Sequence, residues 1–296
     1  MILQEEVPPF QYFTIFDSLE SGLYMVIVGY YFLLFAYFLL MRFRTSKKPY
    51  WFFFSILFIC LAIARVFFII YYFYVPELPL TGWAMVTQLM IYYRLATFFT
   101  WMGMSSLMGV LGILLLPPEA KKDVSGKKEE EKKEKKRFNI TEKQKLLFRL
   151  ILLVIPIVIG ILALVLPDGY LMDLDFIDDY GITNFQIITV NIGSWSYPLG
   201  RFVLNLVCLP LLVFLIPFIF LYLAWKTFGV LRRSYFLNAV GFLIYFAGRI
   251  GQGLLDSVCT LTGGENGCLT RAILPPLLIL LSLIILVIAN NYEQLK

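Results

Sequence analysis

Polar side chains interrupt an apolar run near the end of the chain, in the stretch GRIGQGLLD. Arg249, Gln252 and Asp256 are spaced i, i+3 and i+7, so on an α-helix they share one face. Tyr245 and Asn238 extend that face toward the start of the helix. Because a guanidinium group binds carboxylate or phosphate through two parallel hydrogen bonds, this face has the chemistry of an anion-binding site.

Two further arginines lie inside apolar stretches, at Arg65 and Arg94, and Gln88 adds an amide close to Arg94. A charged side chain in the hydrocarbon of a membrane is costly unless it finds a partner or water. We therefore expect the three guanidinium groups to converge on the interior of the protein, in a water-filled cavity open to the outside. Three guanidinium groups against Asp256 leave an excess of positive charge, which favours a small organic anion as the ligand.

The same residues also have a structural interpretation. Arg65 or Arg249 would extend to the lipid headgroups, or pair with Asp256 and tyrosine hydroxyls only to fix how the helices pack. The sequence leaves both interpretations open. In the functional one, the predicted ligand-binding residues are Arg65, Arg94, Arg249, Gln252, Asp256, Tyr245 and Gln88.

Membrane-spanning helices must carry these side chains. Of the 296 residues, 60% are hydrophobic, and the mean hydropathy of +0.80 exceeds that of soluble domains. A bilayer core of about 30 Å needs about 20 apolar residues per helix. We predict an all-α integral membrane protein, a single seven-helix domain over residues 1–296. Its helices are predicted at residues 21–41, 50–75, 83–116, 146–166, 202–228, 234–257 and 271–290.

Basic and acidic loops alternate along the chain. Lysine and arginine are concentrated after the first, third and fifth predicted helices, whereas acidic residues dominate the other loops. The positive-inside rule then predicts an extracellular N-terminus, a cytoplasmic C-terminus and a multi-pass protein of the plasma membrane. The lysine- and glutamate-rich segment 119–137 is predicted to be disordered and cytoplasmic, and the acidic segment 167–200 to be extracellular.

An internal repeat is suggested by aligning residues 41–66 with residues 225–250, which places Arg65 on Arg249 without a gap. We infer a 3+1+3 plan, in which the fourth helix restores the direction between two parallel three-helix repeats. In topology this plan resembles the small sugar transporters, opsins and seven-helix receptors. The chain carries no motif of those families, and the last predicted helix has no lysine that could bind retinal as a Schiff base.

Catalytic and metal chemistry lack their usual residues. The chain contains no histidine, the commonest metal ligand and general base. We predict no enzymatic activity, no metal and no cofactor. Cys259 and Cys268 flank a glycine-containing loop on the predicted outer face, so we predict a disulfide between them. The basic loops follow from topology and attraction to anionic lipid, so no nucleic-acid partner is expected.

Two classes of function remain. A receptor or sensor with an outward-facing, arginine-lined pocket for a small anionic ligand is favoured by the topology and the acidic outer loop. The alternatives are a small-solute transporter of the 3+1+3 type, which the repeat favours, and a scaffold subunit of a membrane complex. A receptor of this size needs a cytosolic or membrane partner, for which residues 119–145 are the candidate docking segment.

Overall fold

The computed structural model describes residues 13–115, 142–182, 185–192, 195–262 and 265–291, without the side chains of residues 142, 178, 192, 195, 253–262 and 265–268. The described chain forms a helical bundle with one small β-hairpin. Its elements are α1 (Ile15–Ser46), α2 (Pro49–Glu77), α3 (Gly82–Leu115), α4 (Glu142–Val165), α5 (Asp168–Leu171), α6 (Asp175–Asp179), β1 (Thr189–Ile192), β2 (Trp195–Pro198), α7 (Leu199–Lys226), α8 (Gly229–Thr262) and α9 (Glu265–Asn291).

Six helices of the described chain are long and apolar enough to cross a membrane, namely α1, α2, α3, α4, α7 and α9. The chain is therefore a polytopic helical membrane protein. At 34 residues α8 is as long as α3, but its mean hydropathy is lower because it carries Arg232, Arg233, Asn238 and Arg249. The seven predicted stretches each overlap one of the seven long helices, with ends displaced by a few residues.

The long helices pack in an order that brings the two ends of the chain together. α1 packs between α2 and α9, α3 packs against α2 and α4, and α8 packs against α9 and α7. Large aromatic side chains fill the core between α1, α2 and α8. Its buried members include Tyr24, Tyr31, Phe38, Phe54, Phe58, Phe242 and Phe246.

Glycines on α3 allow its neighbours to approach closely, as expected for helices packed in a membrane. A Cβ atom on Gly109 would lie 2.8 Å from the Phe53 ring of α2. A Cβ atom on Gly112 would lie 3.4 Å from the Arg149 side chain of α4. The small residues of the third predicted helix therefore serve packing.

Three helices contain π-helical turns, at Tyr37–Phe43 in α1, Ile70–Tyr74 in α2 and Phe202–Cys208 in α7. The turns in α2 and α7 each end shortly before a proline, Pro76 and Pro210 respectively. Proline has no amide hydrogen to donate to the preceding turn, which disturbs the regular α-helical pattern there. In α7 this disturbance lies directly beside Arg201, which is discussed below.

The segment between α4 and α7 folds over one end of the bundle. It contains α5, α6 and the hairpin, in which Val190 of β1 faces Tyr197 of β2 in an antiparallel pair. The Ile188 amide donates to the Gly169 carbonyl at 2.8 Å, which ties the hairpin to α5. This is the segment predicted as the acidic outer loop 167–200. The predicted disordered segment 119–137, and the docking segment as far as residue 141, lie outside the described residues.

Candidate anion site

Arg65 on α2 and Arg249 on α8 line one cavity inside the bundle, together with Tyr31, Tyr245 and Thr100. The sequence predicted a water-filled pocket that opens outward. The structure instead has a cavity of about 10 Å³, which is close to the space that one water molecule occupies. Three aromatic side chains are among those that line it, namely Tyr31, Phe68 and Tyr245.

Arg65 contacts the face of an aromatic ring and a side-chain amide. Its side chain is buried, with 4% of the residue exposed, and its guanidinium carbon lies 4.2 Å from the centre of the Tyr24 ring. Its Nη1 lies 3.5 Å from Oε1 of Gln252, at the long limit of a hydrogen bond. The predicted site residue Gln252 therefore contacts the arginine of another helix, in addition to sharing a helix face with Arg249.

Arg249 is half-buried in a similar aromatic environment. Its guanidinium carbon lies 5.4 Å from the centre of the Phe68 ring. Beside it in the cavity, the Tyr31 hydroxyl donates to the Tyr245 hydroxyl at 3.2 Å. The face of a π-system attracts a cation, so aromatic rings supply part of the solvation that both arginines lose on burial. The structure thus brings together four predicted site residues, namely Arg65, Arg249, Gln252 and Tyr245.

The positive charges of Arg65 and Arg249 are not matched by a described carboxylate. Among the side chains that the structure describes, no carboxylate forms an ion pair with Arg65 or Arg249. Glu20 of α1, with 2% of the residue exposed, lies 3.7 Å from Nε of Arg271. Asp256, the acid predicted for this site, has its side chain outside the described part. Arg65 and Arg249 consequently repel each other across the cavity.

Arg94 does not join this cavity, which corrects the expectation that three arginines converge. Its Nη1 donates to the Leu164 carbonyl at 2.5 Å, and its Nη2 donates to Leu166 and to Asp168 at 2.5 and 2.6 Å. The reason is local, because the last carbonyls of a helix have no partner within it and a guanidinium can bind several of them at once. Gln88 is half-buried on α3 and does not line the cavity either.

Arg201, in the first turn of α7, is a second buried arginine that the sequence analysis missed. It donates to the Leu171 carbonyl through Nε, to Oδ2 of Asp173 at 2.5 Å through Nη1 and to the Tyr71 hydroxyl at 3.4 Å. Its guanidinium carbon lies 4.3 Å from the centre of the Tyr93 ring. The signal was available in the sequence, as a lone arginine between Pro198 and a long apolar run.

The hairpin beside Arg201 has one perturbed ionisable group. Burial raises the pKa of the Tyr197 hydroxyl, and the positive charge of Arg201 partly opposes this rise. Tyr197 therefore stays neutral at physiological pH. Arg94 and Arg201 together attach the segment between α4 and α7 to the bundle, through Asp168 and Asp173 respectively.

A polar network closes the opposite end of the bundle, where α9 ends. Oδ1 of Asn290 accepts from the Tyr50 hydroxyl at 2.9 Å, and its Nδ2 donates to Oδ1 of Asn238 at 3.1 Å. Arg42 donates to the Asn290 carbonyl at 3.1 Å. The helical spacing predicted Asn238 on the same face as Arg249, whereas in the structure Asn238 belongs to this separate network. We call the two ends of the bundle the Glu20 end and the Asn290 end.

The predicted disulfide concerns residues beyond the described side chains. Cys259 and Cys268, the predicted disulfide, lie in the segment 253–268. Within the described residues, no three His, Cys, Asp or Glu side chains are grouped as metal ligands.

No known protein family, curated protein or solved structure matches this chain.

Proposed function

We propose that this chain is a seven-span membrane receptor for a small anion, which binds between Arg65 and Arg249. One observation carries the proposal: two arginines from different helices line the same interior cavity, and no described carboxylate neutralises either of them. A guanidinium group is the side chain best suited to bind a carboxylate, nitrate or phosphate oxygen pair. A bound anion also removes the repulsion between the two cations.

The seventh span in this proposal is α8. Its interior polar side chains include Asn238 and Arg249, which contribute to the Asn290 network and to the arginine cavity respectively, so neither needs to face lipid. Seven spans put the two ends of the chain on opposite sides of the membrane. The charge pattern supports an extracellular Glu20 end and a cytoplasmic Asn290 end, because Arg42 and Lys226 lie at the latter.

Anion binding has a direct mechanical consequence in this geometry. Without a ligand, the repulsion between Arg65 and Arg249 favours a wider separation of α2 and α8 at the cavity. A bound anion attracts both guanidinium groups and so favours the closer arrangement. A ligand shifts a conformational equilibrium only through such a difference in affinity for the two states. Because α8 continues to Asn238, its displacement reaches the Asn290 end, where a cytosolic partner has access.

The size of the cavity limits the class of ligand. A volume of about 10 Å³ leaves no room for a large organic anion unless the helices separate. We therefore assign the site to the smallest anions: a halide is close in size to the one water molecule that fits, and formate or nitrate enters once the two helices separate slightly. The Tyr31 and Tyr245 hydroxyls supply further donors to such an anion once their mutual hydrogen bond breaks.

Binding is tested with the purified chain in lipid nanodiscs, titrated calorimetrically with formate, nitrate, chloride, acetate and phosphate. We expect at least one small anion to bind, Arg249→Gln to abolish binding while the chain stays folded, and Arg249→Lys to restore it partly. Lysine keeps the charge but loses the two-pronged hydrogen bonding. Arg44→Gln removes an exposed cation outside the cavity and is the matched control. Unchanged binding in Arg249→Gln would refute the site.

A small-anion transporter is the second candidate function. It is favoured by the sequence offset that places Arg65 on Arg249, since the two residues of a repeat-related pair also line one cavity. Substrate sites of repeat-built transporters lie where the repeats meet. Proteoliposome flux separates the two candidates: binding without flux supports the receptor, whereas flux that Arg249→Gln abolishes supports the transporter.

A further inference from the structure

A second, much larger cavity lies at the Asn290 end, between the last turns of α7 and the first turns of α8. Its volume is about 780 Å³. Leu221 and Leu237 contribute to its apolar walls, whereas Arg232 and Arg233 provide positive charge. We call this cavity the α7–α8 groove. It is distinct from the arginine cavity, with which it shares no lining residue.

Two aromatic side chains at the groove are highly exposed. Trp225, which lines it, is 78% exposed, and Phe228 in the connection to α8 is 85% exposed. Tryptophan prefers the headgroup level of a membrane, where an apolar ring meets a polar environment. A groove with such rings is expected at the level at which a phospholipid headgroup joins its acyl chains.

Positive charge is concentrated at the same level. Arg232 and Arg233 are exposed side chains in the first turn and a half of α8, which begins at Gly229. Lys226 ends α7 next to the groove, with its Nζ 4.9 Å from the centre of the Tyr222 ring.

We propose that the α7–α8 groove binds one phospholipid with an anionic headgroup, drawn from the leaflet at the Asn290 end. Arg232 and Arg233 bind the phosphate, and the acyl chains lie against Leu221, Phe236 and Leu237. The observations favour a lipid over a free phosphate because the groove is far larger than a phosphate and is lined by apolar side chains and by an exposed Trp225. The same charges favour an anionic over a zwitterionic headgroup.

The test uses the full chain, delipidated and reconstituted with phosphatidylglycerol or phosphatidylcholine, and counts retained lipid by native mass spectrometry. We expect one phosphatidylglycerol molecule to be retained preferentially. The double variant R232Q/R233Q is expected to weaken its retention roughly tenfold or more, since charge-assisted hydrogen bonds to the phosphate are lost. The variant K47Q/K48Q removes two cations at the same end but outside the groove, and its retention is expected to equal that of the wild type.

A second variant and a competition separate the remaining outcomes. Trp225→Ala leaves the charges in place but removes an apolar wall, so phosphatidylglycerol retention is expected to fall without a gain for phosphatidylcholine. Equal retention of the two lipids by the wild type would overturn the proposal, as would wild-type retention by R232Q/R233Q. Displacement of the lipid by inorganic phosphate would also overturn it, because the groove would then be a site for the free anion.

Discussion

Arg65 and Arg249 line one cavity although 184 residues separate them in the sequence. Neither is paired with a described carboxylate, and each lies over an aromatic ring instead, Tyr24 and Phe68 respectively. Two like charges held together inside an apolar bundle are unfavourable unless something offsets their repulsion. This relationship motivates the proposed anion site. It also makes Tyr31 and Tyr245, whose hydroxyl groups lie beside the arginines, the next residues to test.

The hydrogen bond between Tyr31 and Tyr245 is predicted to stabilise the bundle at the cavity. Tyr31→Phe removes the donor of the 3.2 Å contact. We expect the free energy of unfolding to fall by about 0.5–2 kcal/mol, as for other hydrogen bonds between membrane helices. Reversible unfolding in sodium dodecyl sulfate measures it. Tyr74→Phe, which removes an exposed hydroxyl, is the matched control, and an equal effect of both changes would contradict the prediction.

Arg94 is predicted to hold the segment between α4 and α7 in place. Arg94→Gln removes the ion pair to Asp168 and leaves the Leu164 and Leu166 carbonyls without their donor. We expect amide hydrogen exchange across residues 168–182 to accelerate by roughly tenfold or more, since each hydrogen bond to a charged group contributes about 1.5–3 kcal/mol. The core of α2 is expected to keep its wild-type exchange.

Two milder changes refine that prediction. Asp168→Asn keeps the carbonyl contacts of Arg94 and removes only the ion pair, so its effect is expected to be smaller than that of Arg94→Gln. Asp179→Asn changes an exposed carboxylate of α6 in the same segment and is expected to have none. Should Asp179→Asn accelerate exchange as much as Arg94→Gln, the effect would come from the net charge of the segment.

The seven helices were predictable from the sequence because apolar length is a property of each segment by itself. α4 and α7 end one or two residues before the predicted stretch does, whereas α1, α2, α8 and α9 extend past it at both ends by up to six residues. Glu20 illustrates this: the sequence analysis placed it before the first helix, whereas it is a buried residue of α1 near Arg271.

The candidate site was predictable only in part, because it depends on which helix faces meet. Arg65, Arg249 and Tyr245 line one cavity and Gln252 lies beside Arg65, because each is on a helix face turned toward the interior. Arg94 did not join them, because its nearest acceptors are backbone carbonyls at the end of α4. Every residue has a backbone carbonyl, so the sequence does not show which of them an arginine binds. The width of the cavity was likewise unpredictable, since it depends on how aromatic rings pack.

Seven spans with an extracellular Glu20 end predict a specific labelling pattern. Cysteines introduced by Ser125→Cys and Asn184→Cys lie in the third and fourth predicted loops, which an intact membrane separates. We expect a membrane-impermeant maleimide to label only Asn184→Cys in whole cells, and to label Ser125→Cys after permeabilisation. The wild-type chain with its four cysteines gives the baseline. Labelling of both positions from outside would refute the seven-span topology.

Gly200 is predicted to be required for the close contact between α7 and α5. A Cβ atom at this position would lie 2.7 Å from the Tyr170 carbonyl oxygen, and backbone cannot yield as a flexible side chain does. We expect Gly200→Ala to lower the free energy of unfolding by about 1–3 kcal/mol, the usual cost of overpacking, and to displace the neighbouring Arg201.

Gly22→Ala in α1 is the control for Gly200→Ala. No atom lies within 4 Å of its added Cβ, so stability should stay unchanged or rise by up to about 1 kcal/mol from helix propensity. Equal losses in both variants would show that the alanine clash at α5 is not the cause.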